Sequence, residues 1–194
     1  MDSKTELKQL FSYIIALVRD PVQQIKILPK VQWKSLILFQ FCLCIFSVVF
    51  SNLLAPYAIS IPHMIVALIA SVVALSLVSL FFYYFFLILY NKTLVFKEIF
   101  TLVLFSHIPF AIFHLAAYIF PPADLIGLAI SGLLMIVGLV ENFSIPRKLS
   151  IQLMVSLYSI FFIYWVVQMI AFNKVSEMSL PQDLDKIERE VQSH

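Results

Sequence analysis

The sequence predicts an all-α integral membrane protein: a bundle of five transmembrane helices preceded by an amphipathic interfacial helix. Three observations carry this. Of 194 residues, 62% are hydrophobic and 12% charged, against about half and about a quarter in soluble domains. The whole stretch from Ser35 to Asn91 lacks Lys, Arg, Asp and Glu, and a water-soluble fold of this size has no interior able to hide it. The apolar runs are unbroken. They suit helices, which cross ~30 Å of hydrocarbon in about 20 residues, and not barrel strands, which alternate apolar and polar over ~10 residues. The scarcity of glycine, three residues, points the same way.

Residues 1–34 are expected to be a cytosolic amphipathic segment on the membrane surface. Ser3 and Glu6 have capping-box spacing. Leu7, Leu10, Phe11, Ile14, Leu17 and Val18 then recur at helical intervals, with Lys8 and Arg19 off that stripe. Asp20-Pro21 is expected to end one helix and cap the next. Val22, Ile25 and Leu28 continue the apolar stripe until Pro29, and Lys26, Lys30 and Lys34 lead to the bilayer. Basic residues and apolar side chains on one short helix suit an anionic leaflet. No cleavable signal peptide is expected.

The transmembrane domain is expected over residues 35–172, with spans at about Ser35–Ala55, His63–Tyr90, Ile99–Phe120, Leu125–Val140 and Leu149–Phe172. Prolines 56 and 62, the Asn91–Glu98 segment, Pro121-Pro122 and the Glu141–Lys148 segment mark the turns. A polar tail, 173–194, follows. Basic residues set the orientation. Ten of the 13 Lys and Arg lie before the first span or in the loops after the second and fourth. The N-terminus is therefore expected in the cytosol and the C-terminus on the other side.

Ionisable groups inside a membrane are functional candidates by default, which singles out His107 and His114 in the third span. Seven residues separate them, so they share a helix face ~10 Å apart at 1.5 Å per residue, too far for one metal ion. Interhelical packing is the plain reading, and a proton or ligand path the sharper one. Pro109 removes a helical hydrogen bond, and Ser106 and His107 are placed to satisfy the break, which is either a structural kink or a hinge. Small residues permit close helix approach. Gly127, Ser131 and Gly138 share a face of the fourth span, and Ala67, Ser71 and Ala74 lie on the second. Asp124 is expected to cap the fourth span, and Glu141 to lie at the cytosolic interface. Cys42 and Cys44 read as small hydrophobes.

The chain lacks a phosphate-binding glycine loop, a paired-histidine zinc motif and a nucleophile elbow. No span carries two carboxylates. No catalytic residue, metal or cofactor is therefore expected, and nucleic acid is not an expected partner. The lipid bilayer is, together with other membrane proteins or a second copy.

Taken together, Arg19-Asp20-Pro21 ahead of the first span, Phe96-Lys97-Glu98 opening the third, the run Phe105-Ser106-His107-Ile108-Pro109, and a proline turn before a fourth span ending Val137-Gly138-Leu139 resemble the Yip family. These are five-span proteins named for interaction with Ypt/Rab GTPases of the secretory pathway, with many bacterial relatives. The resemblance covers about Val18 to Ile170. Eukaryotic members carry a long polar N-terminal domain, whereas this chain has only 34 residues there, so it resembles the short bacterial members. The resemblance implies a non-enzymatic protein that organises membrane or partner proteins. The alternatives from the residues are a small transporter or channel, with His107 and His114 lining its path, and a subunit of a larger membrane complex. A bacterial inner membrane is the expected location.

Overall fold

A computed structural model describes residues 3–54, 61–117, 120 and 122–178, and every element among them is an α-helix. The N-terminal segment forms α1 (Ser3–Arg19) and the one-turn α2 (Pro21–Gln24). The long apolar runs form α3 (Trp33–Leu54), α4 (Ile61–Tyr90), α5 (Phe96–Ser106), α6 (Ile108–Ala116), α7 (Ala123–Phe143) and α8 (Arg147–Met178). Five stretches are long and apolar enough to cross a membrane: Trp33–Phe50, Ile61–Tyr90, Phe96–Ala116, Ala123–Phe143 and Arg147–Val167. The third joins α5 and α6 across a single-residue turn.

Helix ends differ from the expected ones by a few residues, for local reasons. α4 starts at Ile61 because Pro62 is tolerated in a first turn, where its missing N–H has no partner to lose. α5 starts at Phe96, and Glu98 in its first turn complements the helix dipole. α7 runs on through the polar Glu141 and Asn142 to Phe143 and stops where Ser144 enters the left-handed region at φ 50°. Asn91 ends α4 the same way, at φ 47°. The turn expected at Pro56 lies outside the described residues; of the tail expected over 173–194, residues 173–178 continue α8 and the rest lies outside the described residues.

The chain divides into two compact units, residues 1–155 and 156–194. In the first, α5 is the innermost element, with every residue from Ile99 to Ser106 buried. It packs against α3, α4 and α7, and α6 packs against α3 and α7. α4 buries only Leu75, Ser79, Phe82 and Phe86. It exposes Ile65, Val66, Ile69, Val73 and Leu77, the outer surface that a helix in hydrocarbon requires. One polar clamp crosses this layer. The buried Gln40 donates from Nε2 to Val72 O at 2.9 Å and to Ser76 Oγ at 3.4 Å, joining α3 to α4. The second unit holds the later part of α8, which exposes Ile160, Phe161, Phe162, Ile163 and Tyr164.

The first helix divides the residues of its expected apolar stripe between a buried and an exposed face. Glu6, Leu10, Tyr13 and Leu17 are buried, one turn apart along a single stripe. Phe11 and Val18, on the stripe expected to meet the membrane surface, are 67% and 61% exposed. Ile14 is half-buried, and the Leu7 side chain lies outside the described residues. Residues 11, 15 and 18 form their own outward ridge of Phe, Ile and Val. The helix therefore has two apolar faces, which a single-stripe reading merges.

Candidate functional site

The third span is broken where the sequence places Pro109. α5 ends at Ser106, His107 forms the turn, and α6 begins at Ile108. His107 N donates to Val103 O and Ala111 N to His107 O, both at 3.0 Å, so helical hydrogen bonds continue on either side of the turn. The N–H of Phe110, which an unbroken helix would direct to Ser106 O, is taken by Ser131 Oγ of α7 at 3.1 Å. Ser106 and His107 were the expected partners of the break. Instead the Ser106 hydroxyl is buried without a hydrogen-bond partner, and the neighbouring helix does the capping. A serine 21 residues on, in the next span, cannot be assigned that role from spacing alone.

Ser131→Ala is therefore expected to strand the Phe110 N–H in a water-poor interior, at about 1–3 kcal/mol for an unsatisfied buried donor. In a Pro109→Ala background the helix can close and Phe110 N can return to Ser106 O. The same Ser131→Ala change should then be markedly milder. Denaturation of the four purified variants measures this coupling, and strictly additive losses would contradict the arrangement.

His107, in the turn before α6, and His114, in its last turn, both meet the Phe110 ring. The Phe110 ring contacts both, with centroids 5.0 Å from His107 and 5.6 Å from His114, the latter nearly parallel at 17°. His114 Nδ1 meets Asp124 Oδ1 at 2.8 Å. Asp124 was expected to cap α7. The capping position is Pro122, with no side-chain cap bond, and the carboxylate pairs with the histidine instead. This ties the end of α6 to the start of α7 across the proline turn. Among the described residues, no group of three or more His, Cys, Asp or Glu could hold a metal.

The small residues of the two spans separate into different settings. Gly127 lies against α6, where an added Cβ would stand 2.6 Å from Phe113 Cβ and 3.0 Å from Phe110 Cα. Gly138 lies against α5, where a Cβ would meet the methyl groups of Leu102. With Ser131 between them, this stripe lets α7 approach both halves of the third span. On α4, by contrast, Ala67 and Ala74 are exposed and Ser71 is half-buried, its hydroxyl donating to Ala67 O at 2.8 Å. Glu141 is exposed at the end of α7.

The N-terminal segment is locked to the spans, reaching as far as the last turn of α5. The Tyr13 ring packs edge-on against Phe105 at 4.7 Å, and Phe39 stacks on Phe105 at 5.4 Å. Tyr13 OH donates to Gln24 O at 3.1 Å, closing the turn between α1 and α2. Burial pushes the Tyr13 hydroxyl's pKa up, so it remains a donor. The Glu6 carboxylate, expected in a capping box with Ser3, accepts from Ser35 Oγ at 2.7 Å instead. Asp20 does cap α2, accepting from Gln23 N at 3.1 Å with Pro21 at the first position. Asn142 donates to Ile25 O at 2.9 Å, and Lys92 Nζ donates to Phe143 O and Ser144 O at the α7 terminus. Sequence reasoning missed Tyr13, Gln40, Asn142 and Lys92. A polar residue embedded in an apolar run was the available signal only for Gln40. Arg19 and Lys30 are exposed, and Lys26 is half-buried.

No family model, curated protein or solved structure matches this chain.

Proposed function

We propose that this protein is a non-enzymatic five-span membrane protein of Yip type that organises membrane or partner proteins. The observation that carries the reading is the packing of the third span. Both of its histidines are engaged by protein: the Phe110 ring packs against each imidazole, and Asp124 holds His114. The continuous burial of Ile99 to Ser106 makes a rod around which other helices pack, which is a scaffold's interior more than a solute path. The α1 ridge of Phe11, Ile15 and Val18 has lipid as its natural neighbour, flanked by Lys8 and Arg19 for anionic headgroups. A second reading, a subunit of a larger assembly, is favoured by Ala67 and Ala74, whose exposure on α4 leaves a face fit for close helix approach.

The function is tested with the full chain in liposomes and in its native membrane. Crosslinking should recover specific membrane partners or a second copy. Reconstituted vesicles should show no ion or solute flux above empty ones, and sustained flux would establish the transporter alternative instead. The proposed orientation places the N-terminus in the cytosol and the C-terminus outside, in a bacterial inner membrane. In a chain lacking Cys42 and Cys44, cysteines at Ser60 or Pro122 should react with a membrane-impermeant thiol reagent added to intact cells. Cysteines at Thr93 or Arg147 should react only after permeabilisation. The reverse pattern would overturn the orientation.

A further inference from the structure

Between α1, α2 and the connection to α3 lies an open cleft of about 670 Å³, lined by Lys8, Gln9, Ser12, Tyr13, Gln24, Pro29 and Lys30. Its chemistry is one-sided. Most of its surface is apolar, and its polar groups are two ammonium groups, two side-chain amides and the hydroxyls of Ser12 and Tyr13, with no acidic residue in the lining. The two carboxylates in residues 3–34 are both engaged elsewhere: Glu6 is turned inward onto Ser35, and Asp20 caps α2. Among the described residues, neither Lys8 nor Lys30 has a carboxylate partner. The cleft therefore carries two uncompensated positive charges beside neutral donors, a setting for an anion.

The surroundings decide which anion. Lys8 stands one helical turn before Phe11 and Ser12, so it faces the cleft at the edge of the outward apolar ridge. Ile27, 75% exposed, lies on the opposite wall's segment, close in sequence to Pro29 and Lys30. A ligand with a phosphate at its polar end and hydrocarbon beside it satisfies both parts, and a small soluble anion satisfies only the first.

We infer that this cleft binds the phosphate headgroup of an anionic phospholipid, held between Lys8 and Lys30, with its acyl chains lying along Phe11 and Ile15. The inference rests on the reading of residues 3–30 as a membrane-surface segment. It adds to that reading a defined site, where general attraction would spread over all the basic residues.

The test uses the full chain in nanodiscs of phosphatidylcholine doped with a photoactivatable phosphatidylglycerol. Crosslinks should concentrate on α1 and on residues 24–30, and exceed those from a matched phosphatidylcholine probe at least fivefold. Lys8→Gln with Lys30→Gln should bring the two probes to within twofold of each other. Arg147→Gln with Lys148→Gln, removing the same charge elsewhere, should leave the preference intact. Undiminished preference in the Lys8/Lys30 variant overturns the cleft. If both lipid probes still label α1 in that variant, the interfacial reading survives and only the site is lost; if neither labels α1, the interfacial reading fails with it. Displacement of the lipid crosslink by millimolar glycerol phosphate overturns the lipid assignment, because it makes the ligand a soluble phosphate ester.

Discussion

Tyr13→Ala is expected to release the N-terminal segment from the spans. The ring is 6% exposed and packs on Phe105, and its hydroxyl closes the α1–α2 turn on Gln24 O. Truncating a buried aromatic costs about 3–5 kcal/mol when the site cannot collapse, and at 1.4 kcal/mol per tenfold the lower figure is about a hundredfold in the docking equilibrium. Limited trypsin digestion in detergent or nanodiscs reads this directly. Cleavage at Lys26 or Lys30 should accelerate strongly in Tyr13→Ala, while the five spans stay protected. Tyr13→Phe keeps the ring and loses one hydrogen bond, about 1 kcal/mol, so it should digest much more like the wild type. Equal digestion of Tyr13→Ala and wild type would show that Leu10, Leu17 and the Glu6–Ser35 bond hold the segment without the ring.

Gly127→Ala should be the most damaging single-methyl addition in the bundle. The new Cβ would stand 2.6 Å from Phe113 Cβ and 3.0 Å from Phe110 Cα. Both atoms are fixed close to the α6 backbone, so no side-chain tip can swing away and the two helices must separate. Overpacking of this kind costs about 1–3 kcal/mol, occasionally more. Separation also lengthens the neighbouring Phe110–Ser131 hydrogen bond. At Gly138 the obstruction is the side chain of Leu102, its two methyls and Cγ, with no backbone atom or Cβ among them, so a rotamer change relieves it without separating the helices and Gly138→Ala should be milder. Ala129 is exposed on the other face of α7, and Ala129→Leu should change little. Thermal aggregation of the detergent-solubilised variants should rank them Gly127→Ala, Gly138→Ala, Ala129→Leu from least to most stable. A Gly127→Ala protein as stable as wild type would mean that α6 and α7 are not in this close register.

The sequence by itself determined the helical class, the five spans and the proline break. Those properties follow from hydrocarbon thickness and backbone hydrogen bonding, which act on each segment without reference to its neighbours. An apolar run of the right length is apolar whatever lies beside it, and Pro109 lacks its N–H in any fold. The Asp20-Pro21 cap was legible for the same reason, since donor and acceptor are three residues apart. Which face of α1 packs was decided only by tertiary structure. Two apolar ridges fit the same periodicity, and only the spans beside it select Glu6, Leu10, Tyr13 and Leu17 for burial. Partners for lone polar groups were likewise decided in three dimensions: Ser131 for Phe110 N, Asp124 for His114, Asn142 for Ile25 O, Lys92 for the end of α7. Each such bond joins residues ten or more positions apart. Inside an apolar bundle a polar group must find whichever complementary group the helix packing brings within about 3 Å, and sequence spacing does not encode that meeting.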